Sequence, residues 1–386
     1  MSDLRALPGG PGAGRILGFD LARALAIFGM ITVNFRAKLT DAEEPEWLHR
    51  LVEQVDGRAA ALFVFLAGVG VALLTRRSRE SGDQVAIRSD RWLLWRRALF
   101  LFVIGLAFRT IWNFDILHFY GVYLFAVAFL LTVPSRWVVA TGLLLTFVFP
   151  LLFYIVPAQL GISFWGTNHG FYPGDLATDI FFQGYHPFAP WFAFLLFGLV
   201  VGRLDLGDKS LRRRLLVSGL IMVLVAEGLA QALLGLGLLK VAFGLAPRAL
   251  IEAAADSFGT DPYPPMPLFV LAGTGWALVV TMAALGIGER WGARRWLTPL
   301  AHAGQLALSI YIFHGTIGAW APAWVGYPPP QSLTWVLVYC VLFYAATILI
   351  ATLWRRVFAR GPIEAVMRWL TNPRRRPATT APTEAQ

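Results

Sequence analysis

Ten stretches of this chain are apolar at nearly every position, and short polar segments separate them. They cover about residues 16–35, 59–75, 93–110, 116–133, 137–156, 187–202, 214–238, 266–286, 297–320 and 332–353. A helix needs roughly 20 apolar residues to cross the hydrocarbon of a bilayer. The pattern therefore predicts an all-α, polytopic bundle of about ten transmembrane helices, with residues 15–373 as one membrane domain. Residues 1–14 are rich in Gly and Pro and read as a disordered N-terminus. The segment 361–373 (GPIEAVMRWLTNP) is short and amphipathic and predicts a helix lying in the interface. The tail 374–386 reads as disordered, and no internal repeat is evident.

Composition agrees with this pattern. Charged residues are only 15% of the chain, against roughly 25% in soluble domains, and 57% of positions are hydrophobic. One cysteine, Cys340, excludes an internal disulfide framework and a cysteine-rich metal site. The first apolar run carries Asp20 and Arg23 and has no small-x-small site after it, so no cleavable signal is expected.

The net charge of +10 matters through its placement. Of 33 basic residues, only Arg36, Lys38, Arg50, Arg58, Arg109, Lys240 and Arg248 fall in the loops after odd-numbered runs. The other loops and both termini, with Arg23 just inside the first run, hold the rest, and Lys/Arg excess marks the cytoplasmic side. Both termini are thus expected in the cytoplasm, in a multi-pass protein of the cell membrane. The basic charge is accounted for by topology and membrane lipids, so no nucleic-acid partner is expected.

This topology sorts the polar groups. His49 and His169 fall in outer loops, His118 begins the fourth run, His186 precedes the sixth, and His314 lies near the outer end of the ninth. Only His302 is on the inner side, and Asn34 joins the outer set. Imidazole suits general acid–base work near neutral pH, although histidine is also at home at an interface. Asp20 and Arg23, three apart, share a helix face near the cytoplasmic boundary. They serve either as a packing ion pair or as a ligand contact. Glu227, with Gln231 one turn on, is the one carboxylate near the middle of a run. It lines a cavity, carries a proton or is buried neutral. Ala67, Gly68, Gly70 and Ala72 let the second helix approach a neighbour closely, or leave room for a slender ligand chain. Arg76, Arg77, Arg79, Arg96 and Arg97 cluster at the cytoplasmic ends of the second and third runs. They suit anionic lipid and equally a phosphate-bearing ligand such as coenzyme A. The aromatic outer segments, with Trp47, Trp112, Trp165, Trp320 and Trp324, fit an interfacial belt and also sugar stacking. A phosphate-binding glycine loop, a His-Glu-x-x-His helix and a Gly-x-Ser-x-Gly elbow are all missing from the sequence.

Four runs carry a resemblance. FDLARALAIFGMITVNF, GRAAALFVFLAGVGVALLTRR, GLAFRTIWNFDILHFYGVYL and GPIEAVMRWLT resemble the YeiB-like family of bacterial membrane proteins. The first two, with YHPFAPWFAFLLFGLVVGRL, also look like the bacterial relatives of heparan-alpha-glucosaminide N-acetyltransferase. The likeness covers about residues 15–373, and Ala22-Arg23-Ala24 stands where the family usually has Leu-Arg-Gly. It implies a transmembrane acyltransferase. An Asn at the end of the first conserved helix and a His in the next loop form its outer site, and acetyl-CoA approaches from the cytosol. Asn34 matches that Asn, and His49 is the counterpart as the only His in the following loop. Arg23, Arg76, Arg77, Arg96 and Arg97 are the corresponding expectation for the donor acetyl-CoA or another acyl-CoA. Asp20, His118, Tyr120, His186, Glu227 and His314 are expected to line the site, with no metal. The expected acceptor is a sugar, a glycan or another small molecule with a hydroxyl or amine. A homodimer follows only by analogy with the family. A transporter or flippase using the same cavity is the alternative, and a non-catalytic scaffold or sensor is a second rival.

Overall fold

The computed structural model describes residues 16–40, 46–160, 173–244, 258–292 and 294–372. The expectations of disorder at both termini, together with His169, Trp165 and Arg248, lie outside these residues. Every described element of regular structure is helical: α1 Leu17–Leu39, α2 Glu46–Glu53, α3 Arg58–Leu74, α4 Arg76–Ser81, α5 Gln84–Arg109, α6 Leu117–Val127, α7 Ser135–Leu160, α8 Pro173–Thr178, α9 Phe188–Gly202, α10 Lys209–Ala242, α11 Pro267–Trp291, α12 Leu297–Gln305, α13 Ala307–Phe313, α14 Ala321–Trp324, α15 Leu333–Val357 and α16 Pro362–Thr371.

Each predicted apolar run falls on helix. Five helical stretches are long and apolar enough to cross a membrane, and the α12–α14 stretch, bent by 72° at a break, makes a sixth. The remaining runs are shorter or more charged. Leu117–Val127, Ser135–Pro150 and Phe188–Gly202 are apolar but short, and α5 carries Arg88, Asp90, Arg91, Arg96 and Arg97 along its first half.

Two glycines show how the sequence permits the tightest packing. A Cβ at Gly68 of α3 would stand 2.0 Å from the Leu195 carbonyl oxygen of α9, and one at Gly198 of α9 would stand 1.9 Å from the Phe65 carbonyl oxygen of α3. The two backbones interlock reciprocally, as small residues allow in helix pairs. This settles the small-residue stripe of α3 as a packing face at Gly68, while Gly70 has open space beside it. Around this pair lies a core of Trp191, Phe194, Phe65 and Phe269, all buried.

The helix break between α12 and α13 is held from outside. Glu364 of α16 accepts from the backbone N–H of Leu308 at 2.9 Å and of Ser309 at 3.1 Å. The first N–H groups of a helix have no partner within it and favour an anion. The amphipathic segment predicted at 361–373 is therefore a helix that caps another helix's N-terminus. That cap fixes α13, which carries Tyr311 and leads into His314.

Candidate functional site

Asn34 sits in the last turns of α1, and His314 opens a single π-helical turn, His314–Gly318, after α13. Asn34 Nδ2 lies 2.9 Å from His314 Nε2. The other ring nitrogen, Nδ1, donates to the Tyr311 carbonyl. That bond fixes the tautomer: Nδ1 carries the hydrogen, and Nε2 presents a lone pair to the Asn34 amide. His314 is fully buried. Trp112 meets its ring edge-on at a centroid separation of 5.4 Å, and Tyr311 lies 5.0 Å away. A Cβ at Gly315 would collide with Phe108 and Trp112, so glycine there lets the π turn seat His314 against them.

Tyr311 joins this pair to a second buried group. Its hydroxyl accepts from the Ile116 N–H at 3.0 Å and lies 3.5 Å from Asp115 Oδ1. Asp115 stands just before α6 and accepts from the N–H groups of Leu117 and His118 at 3.0 and 3.2 Å, as a helix-capping carboxylate does. His118 Nδ1 is 2.8 Å from Asp115 Oδ2, and its Nε2 is 3.3 Å from Asp179 Oδ2. Arg109 Nη1 lies 3.2 Å from the same Asp179 oxygen. An imidazole with a carboxylate at each nitrogen is satisfied when both nitrogens carry hydrogen, and Arg109 balances the second carboxylate. Asp179 opens the π turn Asp179–Gln183. Both π turns among the described residues thus begin at a residue of this network, and π turns often mark functional sites.

Several buried polar atoms nearby have no hydrogen-bond partner among the described residues: Trp112 Nε1, the Tyr120 hydroxyl, Trp191 Nε1 and His186 Nδ1. Native interiors leave few such groups unsatisfied. His186 is otherwise held by its carbonyl, which accepts from the Tyr123 hydroxyl at 2.6 Å, and by Trp191, 4.4 Å from its ring.

The other predicted residues are placed as follows. His49 lies on α2, half-buried, with no hydrogen-bond partner among the described residues. Asn34 is paired instead with a histidine 280 positions away. Asp20 pairs with Arg23 at 2.9 Å and accepts from Gln305 Nε2 at 2.9 Å, tying α1 to the end of α12. Glu227 binds Arg58 Nη2 at 2.6 Å and accepts from Thr260 at 2.9 Å. The cytoplasmic arginines fall in different settings. Arg76 pairs with Glu80 at 2.7 Å on the exposed face of α4, where Arg77 is also exposed. Arg96 borders an outward-facing apolar groove with Trp92, Trp95 and Phe125. Arg97 is half-buried on α5, against which α16 packs. Arg79 donates to the Ala72 carbonyl at 3.2 Å, and burial pulls its guanidinium below its ordinary value. No three His, Cys, Asp or Glu side chains among the described residues are grouped to hold a metal ion.

Residues 15–228 match the family described as heparan-alpha-glucosaminide N-acetyltransferase, catalytic. The chain belongs to that family. Residues 230–374 match a second family, described as a protein of unknown function (DUF418), the YeiB-like group. No curated protein matches the chain. As a family member with several long apolar helices, it is a multi-pass membrane protein of acetyltransferase type. The junction between the two matches falls inside the continuous helix α10. Asn34, His118 and Asp179 come from the first match, and Tyr311 and His314 from the second. The candidate site therefore forms only where the two matched segments pack together.

Asp115, Asp179, Arg109 and Tyr311 were not anticipated as site residues. Asp115 had a local signal, an Asp three positions before His118 at the start of an apolar run. Asp179 had none, because its imidazole partner is 61 residues away.

Proposed function

We propose that this protein transfers an acyl group, most simply acetyl, from cytoplasmic acyl-CoA to a hydroxyl or amine of an acceptor at the outer face. The observation that carries the reading is the contact of Asn34 Nδ2 with His314 Nε2 at 2.9 Å, inside a chain whose family is an acetyltransferase family. The positive-inside charge pattern supports ten crossings with both termini in the cytoplasm and this pair at the outer end.

The chemistry needs a base, a polarised thioester carbonyl and a route for the leaving thiolate. His314 supplies the base at Nε2, its tautomer held by the Tyr311 carbonyl. In the resting state the Asn34 amide occupies that lone pair, so an acceptor O–H or N–H has to take its place. The acceptor's proton passes to Nε2 as its oxygen or nitrogen bonds to the acyl carbon. The Asn34 N–H groups then face the developing oxyanion, a role worth about 10²–10³-fold for an amide donor. The C–S bond breaks, and the CoA thiolate leaves with the proton from the imidazolium. General-base help typically gives about 10²–10⁴-fold, so orientation supplies much of the rest.

The donor's pantetheine arm carries amides, and the unpaired Trp112, Tyr120, Trp191 and His186 groups are suited to receive them. The phosphates fall to the cytoplasmic arginines, among them the half-buried Arg97. His49 is the histidine the resemblance favours, and it stays a second candidate base through movement of α2.

Proteoliposomes test the vectorial claim. With a labelled acetyl-CoA donor outside and a hydroxyl or amine acceptor sealed inside, label should reach the acceptor in vesicles whose protein exposes its termini outward. Uptake of unmodified solute with no CoA released would support the transporter reading instead.

A further inference from the structure

The outward-facing groove between α5 and α6 holds about 550 Å³. Trp92, Trp95 and Phe102 of α5 line it with Val122 and Phe125 of α6, and Arg96 is the one charged residue in its wall. Trp95 stacks its ring against Trp92 at 5.3 Å and Phe125 at 5.8 Å, and its Nε1 donates to the Phe125 carbonyl at 3.3 Å. Apart from Arg96, the groove therefore presents hydrocarbon and indole faces.

Its length fits one leaflet. Trp92 and Phe102 are ten residues apart, about 15 Å along α5, which is half of a hydrocarbon core near 30 Å thick. On the topology proposed above, the Trp92 end faces the cytoplasm, so the groove runs from that interface toward the midplane.

The cytoplasmic mouth is cationic. Arg88, Trp92 and Arg96 recur every four residues and share one side of α5. Both arginines are exposed, and neither has a hydrogen-bond or ion-pair partner among the described residues. The acids at this end are already engaged. Asp83 accepts from the Val85 N–H at 2.9 Å, and Asp90 accepts from Ser78 Oγ at 2.5 Å. Guanidinium groups grip phosphate bidentately, and a long arginine stem lies along apolar surface while its head reaches the interface. A phosphate at the mouth with an aliphatic chain below it matches both parts of the groove. A second copy of the chain fits worse, since a two-fold contact sets a patch against itself and would oppose four guanidiniums.

We propose that this groove is a site for a phospholipid with a net negative headgroup. One acyl chain lies along Trp95, Phe102 and Phe125, and Arg96 and Arg88 hold the phosphate. The site does not depend on acyl transfer.

Native mass spectrometry of purified full-length protein tests this, with equimolar phosphatidylglycerol and phosphatidylcholine of matched chains supplied in mixed micelles. The first bound lipid should be phosphatidylglycerol by at least ~5-fold, the weight of about one interfacial arginine. Arg88→Gln with Arg96→Gln alters two exposed, unpaired side chains and should bring that ratio to within ~2-fold of one. Arg76→Gln with Arg77→Gln removes the same charge from the exposed face of α4 and should leave the ratio unchanged. Val122→Trp fills the groove without touching charge and should cut retention of both lipids at least ~3-fold. Equal retention of the two lipids by wild type would overturn the proposal. So would an equal loss of preference in the two arginine pairs, which would reduce it to general surface charge, or unchanged retention in Val122→Trp. A lipid-free dimer that Leu99→Arg dissociates would assign the groove to a second copy and overturn it as well.

Discussion

Asn34 and His314 are 280 positions apart in sequence, and their side-chain nitrogens are 2.9 Å apart in the fold. One comes from the first helix and the other from a π turn after the broken helix near the far end of the chain. Their contact is the point where the two family-matched segments share chemistry. Replacing Asn34 by Ala should lower turnover by about 10²–10³-fold. The apparent affinity for the acyl donor should change little, because the interaction is made in the transition state. Steady-state kinetics with separate kcat and KM values checks this.

The Asp115–His118–Asp179–Arg109 group is buried and internally balanced. Removing one carboxylate strands the cations opposite it. Asp179→Ala should therefore cost about 3–5 kcal/mol of stability. In a double-mutant cycle with Arg109→Met, the coupling should be at least about 1 kcal/mol. Unfolding in detergent, followed by tryptophan fluorescence, reads both quantities.

Gly198 and Gly70 make a matched pair of substitutions. A Cβ at Gly198 would press into the Phe65 carbonyl at 1.9 Å, whereas one at Gly70 meets nothing within 4 Å. Gly198→Ala should push α3 and α9 apart and lose folded protein, while Gly70→Ala should be neutral or slightly stabilising. Yield of monodisperse protein by size exclusion distinguishes the two.

Much of this architecture was legible in the sequence, and the limits have physical causes. The apolar runs located the helices, because an all-round apolar pattern of that length has few other solutions. The Asp20–Arg23 pair was readable because three-residue spacing places both on one face. Asn34 came from the resemblance, and the structure gives it an imidazole partner. That partner is His314 rather than His49, since no local spacing encodes a contact between the first helix and a turn 280 residues on. The break between α12 and α13 was read as one apolar run, because a 72° bend leaves hydropathy unchanged. Asp179 carries no local signal, and only the tertiary fold brings Arg109 and His118 to it.

Glu364 links an interfacial-type helix to the site at a distance. Its carboxylate holds the N-terminus of α13 at Leu308 and Ser309. Glu364→Ala should cost about 1.5–3 kcal/mol, the range for hydrogen bonds to a charged group. It should also slow transfer by loosening the segment that bears Tyr311 and His314. Glu364→Gln should recover part of both losses. Denaturant unfolding paired with rate measurements tests whether stability and activity fall together.

The central claim is that His314, held by Asn34, is the base of acyl transfer. The most direct measurement is the rate of labelled acetyl transfer by purified wild-type, His314→Ala and His49→Ala proteins, each shown to be folded. His314→Ala should lose about 10²–10⁴-fold in rate, and His49→Ala should stay within a few-fold of wild type. Full activity in the His314→Ala protein, or loss confined to His49→Ala, would contradict the account.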